Sequence, residues 1–205
     1  MTQVTLSYFD LAASRGEECR LALILAGVDF VDDRISQKDW PARKERTPFG
    51  AVPVLTIEGQ GELAQSNAIL NYIGSKYDLR PSDPFQAAWH DSVMESVEEA
   101  RIKVWTALRQ GSTEEEKKLV RKELVEGPIT TWAGQVERQI RGPFLCGEKI
   151  QVADVKLWSL VQWLTSGVID FVPADVLAPY KKLLGVHGNV AAVPKIAAFR
   201  ALHKK

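Results

Sequence analysis

One stretch, Thr47 to Ile69 (TPFGAVPVLTIEGQGELAQSNAI), restricts the fold more than any other. Pro53 stands at the mouth of the apolar run Val54-Leu55-Thr56-Ile57. A residue without a backbone N–H can open a strand there but cannot serve inside a ladder. Gly59 and Gly61 then mark a tight reversal into a short strand, Glu62 to Ala64. Gln65-Ser66 follows, directly before the helical pattern Ala68-Ile69-Tyr72-Ile73. Singly, a proline at a strand start is structural and a serine before a helix is a cap. In this order they make a β-β-α unit.

The same stretch suggests a clamp for a small peptide that carries a carboxylate. Val52-Pro53 is a candidate for a cis bond. With that bond cis, the N–H and C=O of Val52 would turn outward and could pair with an extended peptide as an added strand edge. Ser66 falls where unsatisfied N–H groups meet the positive end of a helix dipole, a place that attracts anions.

Composition narrows the class. The 205 residues, 45% hydrophobic and 25% charged, suffice for a sizeable core in one large domain or two small ones. Twenty-six basic residues balance 26 acidic ones, and no lysine-rich block supplies a footprint for nucleic acid or an anionic membrane. Two cysteines, Cys19 and Cys146, are too few for a disulfide framework. Each lies in an apolar context and reads as a buried small hydrophobe. The reducing cytoplasm is the expected address. The start of the chain lacks a basic region followed by an apolar stretch, and no run approaches the roughly 18 apolar residues of a membrane span. His90, His187 and His203 are widely separated, so no metal is expected.

The pattern changes character once along the chain. From Val4 to about Tyr77, strands Val4–Phe9 and Phe30–Arg34 alternate with a helix, Gly16–Ala26. A short helix around Trp40–Arg46 and then the β-β-α unit complete this part. Such alternation predicts an α/β domain with a parallel β-α-β pair finished by an antiparallel hairpin. Residues 78–84, polar with two prolines, read as a linker. Beyond it helical periodicity dominates, with helices expected at Phe85–Arg109, Thr113–Ile140, Val152–Ser166, Asp175–Leu184 and Val190–His203.

On these motifs the chain resembles a cytosolic glutathione transferase, and is similar to the sigma-like, tyrosine-type members from Val4 to about Lys205. The resemblance implies an α/β plus all-α protein. Residues 1–77 would form a thioredoxin-like, glutathione-binding domain, and 85–205 an all-helical domain that contributes the electrophile pocket. It also implies glutathione as co-substrate, a homodimer, and a role in detoxification.

A free thiol titrates near 8.5, so a donor placed against the sulfur would favour the nucleophilic thiolate. Tyr8, at the end of the first strand, matches the family's catalytic tyrosine. Ser14 competes, because other transferase classes use a serine in this loop, which is one residue longer here than in tyrosine-type relatives. Arg15 matches an arginine that braces the site electrostatically. Trp40 and Lys44 match the pair that grips the glycine carboxylate, and both side chains are pure donors. A third donor, often lysine, is replaced by Ala51. Val52, Pro53, Gln65 and Ser66 match the positions that hold the cysteinyl backbone and the γ-glutamyl carboxylate.

An acidic residue on the first helix after the linker commonly reaches across the family's dimer. Glu95 is in best register, with Glu98 and Glu99 close by, and a solvated acidic face is the plain alternative. Trp105 is either a wall of the electrophile pocket or core. The run Phe144 to Asp154 resembles a buried capping motif in which Gln151 replaces Ser or Thr, leaving Asp154 to hold the turn. The resemblance leaves open three activities: conjugation of apolar electrophiles, glutathione-dependent isomerase or peroxidase chemistry on the same site, and non-catalytic glutathione binding.

Overall fold

A computed structural model describes residues 2–202. Two compact units are present: Met1–Ala87 with Ala192–Lys205, and Ala88–Ala191. This grouping differs from the sequence division in that the last helix belongs with the first unit.

In the first unit, β1 (Val4–Phe9), β2 (Val31–Ile35), β3 (Val54–Ile57) and β4 (Gly61–Ala64) form one sheet in the order β2-β1-β3-β4. β1 pairs parallel with β2 and antiparallel with β3, and β3 pairs antiparallel with β4. The mixed sheet has the thioredoxin-like form expected. Helix α1 (Ser14–Ala26) crosses between the parallel strands, α2 (Trp40–Lys44) follows β2, and α3 (Ser66–Lys76) follows β4.

Alternation along β1 sorts the faces. Leu6 and Tyr8 are buried on the side where α1 and α3 pack, with Leu21, Ile69, Leu70 and Ile73 beside them. Ser7 points the other way, and its hydroxyl donates to Asp33 Oδ2 at 2.6 Å. Arg43 of α2 binds the same carboxylate oxygen, which ties α2 to the opposite face of the sheet.

The second unit is helical. After α4 (Pro84–Leu108), which begins in the first unit, come α5 (Glu114–Leu124), α6 (Thr130–Gln139), α7 (Val152–Leu164) and α8 (Lys181–Ala192). α7 is its axis, with ten consecutive residues from Val152 to Val161 buried. Thr113 and Glu116 form a reciprocal capping box at the start of α5. Arg121 of α5 donates to the carbonyls of Ala107, Leu108 and Gln110, which ties α5 to the end of α4 and the turn after it.

Several boundaries depart from the sequence expectation for local reasons. The helix expected over Thr113–Ile140 is interrupted by a π-helical turn, Val125–Ile129, that contains Pro128. A proline cannot supply the α-helical bond to the carbonyl four residues back, and the wider turn accommodates it. The helix expected over Asp175–Leu184 starts only at Lys181, because Pro179 interrupts it and residues 174–179 form successive turns. A single helix from Val190 is replaced by α8 and α9 (Pro194–Leu202), with Pro194 opening α9 at the position proline favours. The expected end of that helix, His203, lies outside the described residues. Cys19 is buried as expected, whereas Cys146 is only half-buried.

Candidate active site

Register brings the expected site residues of the first unit to one end of the sheet. Phe9 pairs with Ile35, Ser7 with Val54, and Val54 with Ala64. The carboxyl ends of β1, β2 and β4 therefore meet the start of β3 at a single edge. From that edge emerge the loop leading to Ser14 and Arg15 at the start of α1, the segment leading to Trp40, the Val52-Pro53 loop and the Gln65-Ser66 helix start. Open α/β sheets place ligands outside such strand ends.

Tyr8 ends this convergence from the centre of the sheet. Its side chain is buried and its ring meets Phe9 edge-on, with centroids 5.5 Å apart. Phe9 in turn packs edge-on against Trp40 at 5.1 Å, which links β1 to the first residue of α2. The room for Tyr8 is made by Gly16: a Cβ built there would fall 1.9 Å from Tyr8 Cδ1. Beneath lies a charged layer in which Arg20 donates to Asp32 and Arg34 spans Asp32 and Asp10. Burial pushes the Glu17 carboxyl above its ordinary value, against the pull of Arg20, Arg34 and Arg200.

Ser14 is the first residue of α1 and has φ of +62°, an uncommon conformation for a residue with a Cβ. Arg15 follows in the first turn, half-buried. Lys44, at the end of α2, runs alongside Gly50, where a Cβ would lie 3.6 Å from Lys44 Cε. The Val52-Pro53 bond is cis. Val52 lies two residues before Val54, the first paired residue of the β1–β3 ladder, so the ladder does not use its main chain. Ala51 is exposed.

The start of α3 differs from the sequence reading by one position. Gln65 is the N-cap, at φ +72° and ψ +118°, and Ser66 is already the first helical residue and is buried. Gln65 and Ser14 are two of the four non-glycine residues with positive φ among the described residues. Strained backbone of this kind gathers at ligand clamps and active sites.

The expected residues of the second unit have different settings. Glu98 accepts from Arg101 at 2.5 Å and from Lys156, an ion cluster within the unit in which both cations are buried. Glu95 and Glu99 on the same helix are exposed. Trp105 is 43% exposed and so is not core; it tilts against Trp163 with centroids 5.1 Å apart. Asp154 takes the N–H of Leu145 at 2.7 Å and of Gln151 at 2.8 Å, and burial raises its pKa to about 6 against those bonds. Among the described residues, no group of three or more His, Cys, Asp or Glu could hold a metal. No helix among them is long and apolar enough to cross a membrane.

Sequence reasoning missed Arg20 and Gly16. Their spacing of four on one amphipathic helix carries no signal by itself, and only the packing of both against Tyr8 gives it meaning.

The comparisons agree with this architecture. Residues 4–75 match the glutathione S-transferase N-terminal domain and residues 98–203 the glutathione S-transferase C-terminal domain. Glutathione S-transferase 1 of Ascaris suum is 38% identical over the whole of this chain and 98% of its own length. The hematopoietic prostaglandin D synthase of Gallus gallus is 28% identical over 97% of this chain and 96% of its own. Prostaglandin synthase D of Nilaparvata lugens superposes with a TM-score of 0.85 at 27% identity, over 99% of this chain and 98% of that one. With both family domains matched in order, and a relative of this identity aligned from end to end, the chain belongs to the glutathione S-transferase family and is a transferase.

Proposed function

We propose that this chain, in the cytoplasm, conjugates glutathione to small apolar electrophiles, with Tyr8 as the donor that stabilises the thiolate. The observation that carries this reading is the common sheet edge, which gathers the strand end that carries buried Tyr8, the cis-Pro53 loop and the start of α3. On this reading the glutathione sulfur lies beside the Tyr8 hydroxyl, and Arg15 adds positive charge nearby. Trp40 and Lys44 donate to the glycine carboxylate, the main chain of Val52 beside Pro53 pairs with the cysteinyl unit, and Gln65 and Ser66 hold the γ-glutamyl end. The thiolate attacks the electrophilic carbon, whose leaving group departs with the displaced electron pair. Trp105, partly exposed, is a wall for the apolar substrate. The active species is a homodimer, in which Glu95 reaches the γ-glutamyl ammonium of the partner's glutathione.

A second reading of the same site, glutathione-dependent isomerisation, is favoured by the two relatives named prostaglandin D synthase or prostaglandin synthase D. Both readings place the thiolate beside Tyr8 and differ only in the substrate that follows. A glutathione-dependent peroxidase is their variant.

The test is capture on immobilised glutathione followed by turnover of a chloronitroaromatic. Tyr8→Phe is expected to lower kcat by about 100- to 1,000-fold, as loss of one preorganised donor does. Ser14→Ala should stay within about threefold of the parent. Loss confined to the serine variant would reassign the hydroxyl, and a chain that neither binds the resin nor turns over would be a non-catalytic relative.

A further inference from the structure

We propose that Arg20 is a positioning residue for the Tyr8 phenol, an inference that rests on the role given to Tyr8 above. Arg20 is fully buried, and a core does not accept a guanidinium without partners. Its fork is engaged throughout. Nε donates to Asp32 Oδ1 at 2.8 Å, and Nη1 donates to Leu11 O at 2.8 Å and to Glu17 Oε2 at 3.5 Å. Nη2 donates to Phe9 O at 3.2 Å.

Asp32 and Glu17 supply the counter-charge. The two carbonyls supply the geometry, because Phe9 and Leu11 are where the chain leaves β1 directly after Tyr8. Arg20 thus fixes the turn that Leu11 N closes on Phe9 O at 2.8 Å. The guanidinium carbon also lies 5.7 Å from the centroid of the Tyr8 ring, within reach of the attraction between a cation and an aromatic face. Gly16 and Arg20 are four apart on α1, so one helix face presents both the gap that admits the ring and the cation that holds it.

Lysine would keep the charge and lose this function. A point charge on a flexible stem cannot reach a carboxylate and two carbonyls in one plane. The peptide anchors come from α2, the Pro53 loop and α3, and Arg20 touches none of them. Its loss should therefore fall on kcat and on the titration of the bound thiol, and leave glutathione affinity in place.

The experiment is a double-mutant cycle in the full chain with a chloronitroaromatic substrate. Arg20→Lys is expected to lower kcat about tenfold, with the KM for glutathione within about twofold. The apparent pKa in its pH–rate profile should rise by about one unit. In a Tyr8→Phe background the same change should cost less than about twofold, because no hydroxyl is left to position. An equal loss in both backgrounds, or a loss with an unmoved pH profile, overturns the proposal and leaves Arg20 a structural cation. If Tyr8→Phe is impaired and Arg20→Lys is not, the proposal alone fails. If Tyr8→Phe is itself unimpaired, the role of Tyr8 fails and the proposal with it. Should Arg20→Lys not fold, Asp32→Asn releases the Nε anchor of Arg20 and leaves its other three bonds, while also weakening the hold on Arg34. It is expected to lower kcat about threefold with the same direction of pH shift, and an unmoved profile there also overturns the proposal.

Discussion

The ring of Tyr8 lies so close over the backbone of Gly16 that a Cβ on Gly16 would fall 1.9 Å from its Cδ1 and 2.1 Å from its Cγ. These are the stiff inner atoms of the ring, so a methyl group can be admitted only if the whole side chain or the start of α1 moves. Gly16→Ala is expected to cost about 1–3 kcal/mol in stability, as overpacking does. It should also lower kcat at least about tenfold with the KM for glutathione little changed. Unaltered steady-state kinetics in a folded alanine variant would show that the phenol tolerates displacement.

Asp33 couples the sheet to α2. Burial pushes its carboxyl upward, but the Ser7 hydroxyl and Arg43 outweigh burial and hold it below its ordinary value of 3.8. A depressed folded-state value means that the contribution is complete above 3.8 and is lost as pH falls through the lower folded value. The clamp is therefore intact at neutral pH. Asp33→Asn should loosen α2, and with it Trp40 and Lys44, raising the KM for glutathione about fivefold while kcat stays within about twofold. The contrast with Gly16→Ala, measured under identical conditions, separates peptide anchoring from thiol activation.

Ala51 is exposed and borders the Val52-Pro53 loop, so a longer side chain meets no packing there. Ala51→Lys would restore a donor toward the glycine carboxylate. One added charge-assisted bond at an exposed site is worth about 1 kcal/mol, or roughly a fivefold fall in the Kd for glutathione by calorimetry. No gain in affinity would mean that the glycine end does not lie over residue 51.

Asp154 titrates in the opposite sense to Asp33. Burial lifts its folded value from 3.8 to about 6, so between those limits the folded chain binds more protons than the unfolded one. Stability contributed by this group therefore falls as pH rises from about 4 to 6, by up to about 3 kcal/mol. Asp154→Asn keeps the shape and removes the titration. The stability of the parent relative to this variant, from urea midpoints, should shrink across that range, and growth with pH would contradict the burial argument.

Much of the first unit was legible because its signals are local. Pro53 before an apolar run, the glycine pair and the helical spacing after Ser66 each act over a few residues. β3 starts at Val54 and β4 ends at Ala64 as read. Where prolines follow regular periodicity the pattern misled, since Pro128, Pro179 and Pro194 each reshape a helix that apolar spacing alone would continue. The positive φ of Ser14 and Gln65 has no sequence signature, because neither residue favours it and the surrounding fold imposes it. Arg20 was illegible for another reason. Its partners Phe9, Leu11 and Asp32 are gathered by the β1–α1 turn and the sheet, not by any spacing along the chain.

Helix α9 packs on α1, where Lys195 Nζ donates to Leu25 O at 3.3 Å and Arg200 lies near enough to bias Glu17. A chain made from its amino end can fold β1 to α3 early, but the outer flank of α1 stays uncovered until Pro194–Leu202 has left the ribosome. The first unit is thus closed only by a helix translated after the whole of the second unit. Early termination before Pro194 would leave α1 partly bare even though every proposed glutathione anchor had already been synthesised.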